Sequence, residues 1–288
     1  MAWECLPGDV LRHRGTCVGR LLDLQGISFG EKVTNRYFLG EVRRLRPSTH
    51  LETPYPGGGT VLDAYCNTLV SGEFAESLVP PVRSLSCESS KELLQTIWAT
   101  EADWDKLTAR HHAARGFPQA VATYGKNRSI YTTERGLIAL APKAARPGDQ
   151  VCILLRCNSC ILLRLASNTR WQVVGECHVP GLITREALVG PLPESFRSMA
   201  YLEKSTGLWL WSFQNIAIDE IQCEDPHFDI SKCPRVGSGV EGVYRNMLTD
   251  QLESRMWSID DEWRRLEYPW REENILKRGV QLEDFDLI

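Results

Sequence analysis

The sequence predicts an α+β fold in which a central antiparallel β-sheet or small β-barrel is flanked by N-terminal and C-terminal helices. Between residues 128 and 179, short β-like runs alternate with turn signals at a spacing typical of an antiparallel sheet or small barrel. Residues 89–115 and 243–266 place apolar side chains three and four positions apart, as the buried face of a helix does. Strands grouped in the middle and helices towards the ends indicate α+β rather than alternating α/β.

The N-terminal third is predicted to be mixed. Residues 9–23 alternate loosely between apolar and polar side chains and predict a strand, whereas residues 37–39 begin a predicted short helix that ends before Pro47. Residues 54–59 are a loop of proline, tyrosine and glycine, and the loop is no P-loop because no Lys-Ser or Lys-Thr pair follows it. Residues 61–70 fit either a helix or a strand.

The central strands are recognised by the turns between them. They are predicted at residues 128–134, 137–140, 150–156, 160–165 and 171–179, and residues 208–213 are a further candidate. Pro147-Gly148-Asp149 is one such turn, because proline fixes φ, glycine permits positive φ and aspartate bonds neighbouring amides. Upstream, Thr100 to Asp103 has the form of a capping box, so a second helix is expected to start there.

We expect one integrated domain made of three segments. Residues 1–118 form a mixed helical segment that packs on the core, residues 119–215 form the β-rich core, and residues 216–288 form a helical acidic segment. Residues 251–288 hold ten acidic and six basic side chains, so the net charge of −4 for the whole chain resides there. A solvated helical face is the simplest interpretation of this charge.

Composition excludes several classes of protein. A chain of 288 residues that is 43% hydrophobic and 24% charged can build its own core. A net charge of −4 and a pI of about 5.9 disfavour a nucleic-acid-binding protein, which needs a basic face. The mean hydropathy is −0.26, no apolar run approaches the ~20 residues that span a bilayer, and the first residues do not resemble a signal peptide. We therefore expect a cytoplasmic protein with no membrane or nucleic-acid partner.

Ten cysteines are present, and they are expected to be reduced thiols. Cys157 and Cys160 have the spacing of zinc ligands, but no second pair accompanies them. Their position between two apolar runs predicts a hairpin turn at Asn158 and Ser159. Cys152 and Cys177 lie inside apolar runs and are predicted to be small core residues. We expect no metal.

Three stretches of the central block carry a resemblance to a known family. Residues 128–142 contain a Thr-x-x-Gly strand and end at Ala-Pro, residues 146–155 contain Pro-Gly-Asp and an apolar strand, and residues 161–181 contain Leu-Arg and Val-Gly-Glu. This block resembles the C-terminal region of fungal heterokaryon incompatibility (HET) proteins, and residues 277–288 resemble the usual end of that family. The likeness covers about 55 residues of the centre together with the tail.

The departures from the family pattern affect what the resemblance implies. The family usually has an aromatic residue where His178 stands, glycine at the positions of Ala139 and Arg156, and proline where Cys160 stands. HET proteins begin with a signalling domain that carries a Cys-Ile-Asn-Gln type motif, and this sequence has none. The resemblance therefore implies a stand-alone C-terminal module, to which the family's toxicity does not transfer.

Candidate catalytic residues are His178 and Glu176. They share one face of a predicted strand, and a carboxylate at that distance is expected to raise the imidazole pKa and orient the ring. A structural or surface histidine is the simpler alternative. Candidate substrate-binding residues are Arg164 and the aromatic side chains of the predicted core. The alternative role of Arg164 is a cross-strand ion pair with Glu176. The alternative role of the aromatic side chains is packing in the core. These aromatic residues are Tyr131, Trp171, Trp209 and Trp211.

Two functions remain open. The first is a cofactor-free small-molecule-binding enzyme of the cyclase or isomerase type in fungal secondary metabolism, which acts on an apolar substrate. No nucleophile motif, dinucleotide-binding fingerprint or metal motif accompanies the candidate residues, so no cofactor is expected. The second is a non-catalytic recognition or regulatory module of incompatibility-type signalling, with a fungal protein partner or a second copy of the chain.

Overall fold

A computed structural model describes residues 3–6, 10–26, 35–74, 78–79, 85–111, 116–155, 157, 159–167, 169–182, 192–202, 209–222, 226, 244–246, 251–253, 275–276 and 279–288. Two compact units divide the chain. Unit 1 comprises Met1–Ser77, Pro81–Ala187 and Leu282–Ile288, and unit 2 comprises Leu78–Pro80 and Leu188–Gln281. These units cut across the three segments expected from the sequence.

The described chain contains both helices and strands, so the predicted α+β class is confirmed. The helices are α1 (Asn35–Arg44), α2 (Val61–Leu69), α3 (Cys87–Ala99), α4 (Trp104–Arg110) and α5 (Phe117–Tyr124). The strands are β1 (Trp3–Leu6), β2 (Val10–Gly26), β3 (Leu78–Val79), β4 (Arg128–Thr133), β5 (Ile138–Pro142), β6 (Gln150–Leu154), β7 (Cys160–Leu165), β8 (Arg170–Cys177), β9 (Phe196–Leu202), β10 (Trp209–Asn215), β11 (Glu220–Gln222), β12 (Tyr244–Asn246), β13 (Gln251–Glu253) and β14 (Glu283–Leu287). Among the described helices, none is both long and apolar enough to cross a membrane.

The central sheet of unit 1 closes on itself. Its strands run in the order β14-β8-β7-β6-β2-β4-β5, and β1 also pairs with β2. Strand β14 pairs in antiparallel fashion with β2 and in parallel fashion with β8, so β2, β6, β7, β8 and β14 form a closed ring. The 17 residues of β2 contact β14, β6 and β4 in turn, with register shifts that bend the strand along the way.

The interior of the closed ring is apolar. Its buried side chains are Cys152, Leu154, Leu163, Phe285 and Leu287. Two of them come from β14, at the end of a segment that the sequence predicts to be helical and solvated. The alternation of acidic and apolar residues in β14 fits a strand with one face in the core, and the ring thus joins the two ends of the chain. Cys152 and Cys177 are buried, as predicted.

In unit 1, a side chain of α3 binds the main chain of α1. Trp98 Nε1 on α3 donates to the carbonyl oxygen of Val42 on α1 at 2.7 Å.

A capping box between Thr60 and Asp63 begins α2 and resolves the ambiguity at residues 61–70 in favour of a helix. Helix α4 begins one turn later than expected, because Asp103 rather than Thr100 accepts the hydrogen bond of the N-cap.

Unit 2 contains a four-stranded sheet in the order β11-β10-β9-β3. The predicted strand at residues 208–213 corresponds to β10. The predicted helix at residues 243–266 is wrong where the structure describes it: residues 244–246 and 251–253 are β12 and β13, paired in antiparallel fashion. Pairing between these short strands satisfies their backbone groups, and the spacing of apolar residues alone does not exclude it. Residues 254–274 lie outside the described part of the chain.

The loop at residues 54–59 packs on the segment that follows β8. A Cβ atom on Gly57 would lie 2.5 Å from the carbonyl oxygen of Pro180, and one on Gly181 would overlap the backbone of Gly57. Gly181 also has a φ of +83°. The two backbones therefore approach closely only because both residues lack a side chain.

Gly181→Ala is expected to destabilise unit 1 by about 2–3 kcal/mol, because it adds left-handed strain to a steric clash. Urea denaturation of the full chain measures the effect. Gly58→Ala is the matched control, since Gly58 has a φ of +95° but open space around its Cβ position, and it carries the backbone penalty alone. Equal losses in the two variants would contradict the close approach.

Candidate functional site

A cavity of about 480 Å³ lies in unit 1 beside the predicted histidine. Its wall is formed by the chain after α2, the end of α5, the start of β4, the start of β7 and the end of β8. Both predicted catalytic residues, His178 and Glu176, line it, together with the cations Lys126 and Arg128. Small-molecule pockets span roughly 300–1,000 Å³, so the volume is large enough for a ligand.

His178 is held in place through its backbone and its side chain. Its N–H donates to the carbonyl of Leu140 at 3.0 Å, and its own carbonyl accepts from the N–H of Leu140 at 2.9 Å. The ring Nε2 lies 3.0 Å from Oδ1 of Asn67 on α2. Since an amide oxygen only accepts, Nε2 carries the proton in this arrangement and Nδ1 keeps its lone pair.

The His178 imidazole is neutral at physiological pH. Burial, with a contribution from the charge of Arg128, lowers its pKa from 6.5 to about 4. The expected rise of the pKa beside Glu176 is therefore wrong. Glu176 Oε1 instead accepts from Arg128 Nη2 at 2.6 Å, and the Glu176 side chain is 61% exposed. The positive partner of the carboxylate thus offsets the effect of Glu176 on the ring.

The lowered pKa makes stability depend on pH. The unfolded chain binds a proton at His178 near pH 6.5, whereas the folded chain resists it until about pH 4. The contribution of the neutral His178 to the free energy of unfolding is thus fully present above pH 6.5 and is lost as the pH falls towards 4. The free energy of unfolding then changes with a limiting slope of about 1.4 kcal/mol per pH unit.

His178→Gln is expected to flatten this part of the pH profile, because glutamine can still donate to Asn67 but does not titrate. Urea midpoints of the two proteins between pH 4 and 7, the window set by the shift, test this. Glu73 and Glu176 on the same wall remain in both proteins, so the difference between the profiles isolates the histidine. Parallel profiles would contradict a buried neutral ring.

Arg164 is a structural residue of the sheet. It holds Asp149 through two contacts, Nε to Oδ1 and Nη2 to Oδ2, each of 2.7 Å. Asp149 is 2% exposed and also accepts from the N–H of Arg146, so the predicted turn is confirmed. The expected pair of Arg164 with Glu176 is wrong, because the register places Arg164 opposite Gln172.

The predicted aromatic contacts lie elsewhere. Tyr131 is buried and donates its hydroxyl to the carbonyl of Ala145 at 2.7 Å. Trp171 packs edge-on against Phe285 with ring centroids 5.7 Å apart. Neither belongs to the described lining of the cavity. Trp209 and Trp211 pair with Leu202 and Ala200 in unit 2, and their side chains lie outside the described part of the structure.

Sequence reasoning missed two partners of His178. Asn67 lies 111 positions away, and no local pattern marks it as a neighbour of the ring. Arg128 opens β4 and reaches Glu176 across 48 positions. The predicted hairpin of β4 and β5 is a usable signal that Arg128 lies near His178. Strand β4, which Arg128 begins, pairs with β5, and β5 in turn pairs with His178 through Leu140.

Within the described ranges, no group of three or more histidine, cysteine, aspartate or glutamate side chains is arranged to hold a metal ion. Cys160 is buried, and its Sγ lies 3.9 Å from the carbonyl oxygen of Leu182.

Comparison of the chain with protein-family models finds no match, and comparisons with curated proteins and with solved structures likewise find none.

The geometry offers proton-transfer chemistry. A neutral imidazole with one nitrogen held by Asn67 presents a lone pair on the other, and the guanidinium of Arg128 lies at the same wall. A ring whose conjugate acid has a pKa of about 4 is unprotonated but only weakly basic at neutral pH, so it can take a proton only from an acidic C–H group such as one between two carbonyls. Such a group suits reactions in which one proton is taken from a substrate and then given back.

Proposed function

We propose that the chain is a cofactor-free enzyme of the isomerase or cyclase type whose substrate binds in the cavity beside His178. The observation that carries the proposal is the neutral imidazole, held by Asn67 at the wall of a cavity of about 480 Å³. A cytoplasmic site of action and a role in fungal secondary metabolism belong to the same proposal, and the fungal context rests on the HET resemblance alone.

The polar wall supports a particular kind of substrate. Arg128, Lys126 and the hydroxyl-bearing Ser71 and Ser159 border the cavity, and Val179 adds an apolar surface. A largely apolar molecule with one carbonyl group would place that group near the cations and its adjacent C–H near the imidazole. The charge of Arg128 would then stabilise the enolate that forms when His178 removes the proton.

Hydrogen exchange tests this function directly. Full-length protein is incubated in D₂O with a panel of 1,3-dicarbonyl compounds, and deuterium uptake at the carbon between the carbonyls is followed by mass spectrometry. We expect acceleration by the native protein and a loss of roughly 100-fold or more in His178→Gln, the typical contribution of a general base. His50→Gln is the matched control, because His50 is exposed and lies outside the lining.

Two outcomes would overturn the proposal. Equal exchange by the native protein and His178→Gln would remove the proposed base. Binding of a dicarbonyl at the cavity, detected by amide chemical shifts of β8, without faster exchange of any compound would favour the alternative, a recognition module that does not catalyse a reaction.

A further inference from the structure

We propose that Cys17 and Cys152 are a redox-active dithiol that a hydroperoxide converts into a cross-strand disulfide between β2 and β6. The two residues are directly opposite each other in the antiparallel register of these strands. Both are unlinked cysteines in this structure. They lie on the ring of strands, outside the described lining of the cavity.

The hydrogen-bond pattern places the pair at the closer of the two antiparallel spacings. The N–H of Leu155 donates to the carbonyl of Arg14 at 2.9 Å, which makes these two residues a hydrogen-bonded pair. Hydrogen-bonded and non-hydrogen-bonded pairs alternate along the strands. The Cys17–Cys152 pair lies three positions further along and is therefore a non-hydrogen-bonded pair. Such pairs have Cα atoms about 4.5 Å apart, within the range that a disulfide spans.

The two thiols differ in a way that suits stepwise oxidation. Cys17 is half-buried, so a small peroxide can reach it, whereas Cys152 is fully buried. The neighbouring Cys152 thiol lowers the pKa of the Cys17 thiol, and the proximity of Cys17 raises the pKa of Cys152. The more acidic and more exposed sulfur is the better nucleophile towards a peroxide.

The chemistry balances with a hydroperoxide as the oxidant. The Cys17 thiolate attacks the terminal peroxide oxygen, so an S–O bond forms, the O–O bond breaks and the leaving oxygen takes a proton. Cys152 then loses its proton and attacks the Cys17 sulfur, which releases a second molecule of water. With hydrogen peroxide, the pair loses two electrons and two protons, and the peroxide becomes two molecules of water.

The test uses the full-length chain, reduced and then exposed to hydrogen peroxide at native pH. Peptide mapping by mass spectrometry under non-reducing conditions is expected to show a Cys17–Cys152 linked peptide as the main cross-link, which dithiothreitol removes. In Cys152→Ser, the cross-link is lost and a dimedone adduct of sulfenic acid appears at Cys17. Cys87→Ser is the matched control, since Cys87 is also half-buried but lies on α3, and this variant should retain the link.

An internal comparison keeps the proposal testable even if a variant folds poorly. Cys160 and Cys177 are also directly opposite each other, on β7 and β8, but both are buried. Native protein should therefore link Cys17 to Cys152 and leave Cys160 and Cys177 as thiols, and the preference should vanish in urea. No Cys17–Cys152 link in the native protein, or the same cross-links with and without urea, would overturn the proposal.

Discussion

Phe285→Ala is expected to lower the free energy of unfolding of unit 1 by about 3–5 kcal/mol, the usual cost of truncating a buried phenylalanine. Phe285 is 1% exposed and contacts Trp171 edge-on within the ring of strands. The substitution leaves a cavity at the strand that joins β2 to β8, so both neighbouring pairings lose their shared apolar support. Urea denaturation of the full chain measures the loss, as the shift in midpoint multiplied by the dependence of the free energy of unfolding on urea concentration in the native protein.

Ile288→Ala is the matched control for this prediction. Ile288 is three residues further along, donates its N–H to the carbonyl of Trp171 and is 53% exposed. Its truncation should change stability by no more than about 0.5 kcal/mol, as exposed positions do. A similar small loss in Phe285→Ala would mean that β14 contributes little to closing the ring.

Arg164→Leu is expected to cost about 3–5 kcal/mol, because it leaves the buried carboxylate of Asp149 without its charged partner. The Asp149 side chain is 2% exposed, and its two oxygens meet Nε and Nη2 of Arg164 at 2.7 Å each. Chemical denaturation at neutral pH measures the loss. Arg164→Leu combined with Asp149→Asn should recover part of it, since asparagine still accepts from Arg146 without carrying a charge.

Arg14→Leu provides the comparison with an exposed ion pair. Arg14 meets Asp284 at 2.7 Å, a distance equal to that of the buried pair, but both side chains are more than a third exposed. Such pairs contribute about 0–1 kcal/mol because water screens them. Equal costs for Arg164→Leu and Arg14→Leu would show that burial of Asp149 does not govern the effect.

The strands of the centre could be predicted because their signals are local. Alternation and turn residues fix β4 to β8 within a few positions, and the Pro147-Gly148-Asp149 turn forms as its residues require. Strand β14 was predictable in principle, since Phe285 and Leu287 alternate with acidic residues. The excess of negative charge in residues 251–288 instead favours a solvated helix, so the alternation of apolar and acidic residues in β14 does not lead to a strand prediction.

The candidate site was predictable only in part. His178 and Glu176 are two positions apart, and the structure places both at one cavity. The predicted direction of the His178 pKa shift is wrong, because the shift depends on burial and on the charge of Arg128, which lies on another strand. The sequence favours a structural ion pair for Arg164 over ligand binding, but only the tertiary structure shows that its partner is Asp149 rather than Glu176.

The sequence alone determined the class of the fold, the central strands and turns, and the histidine on which the proposed chemistry depends. Only the tertiary structure decided how β2 and β14 close the ring, which partner each charged side chain takes, and that the imidazole is neutral. The reason is physical. Secondary structure follows from interactions a few residues apart, whereas burial, pairing and pKa depend on groups brought together across 15 to 274 positions of the chain.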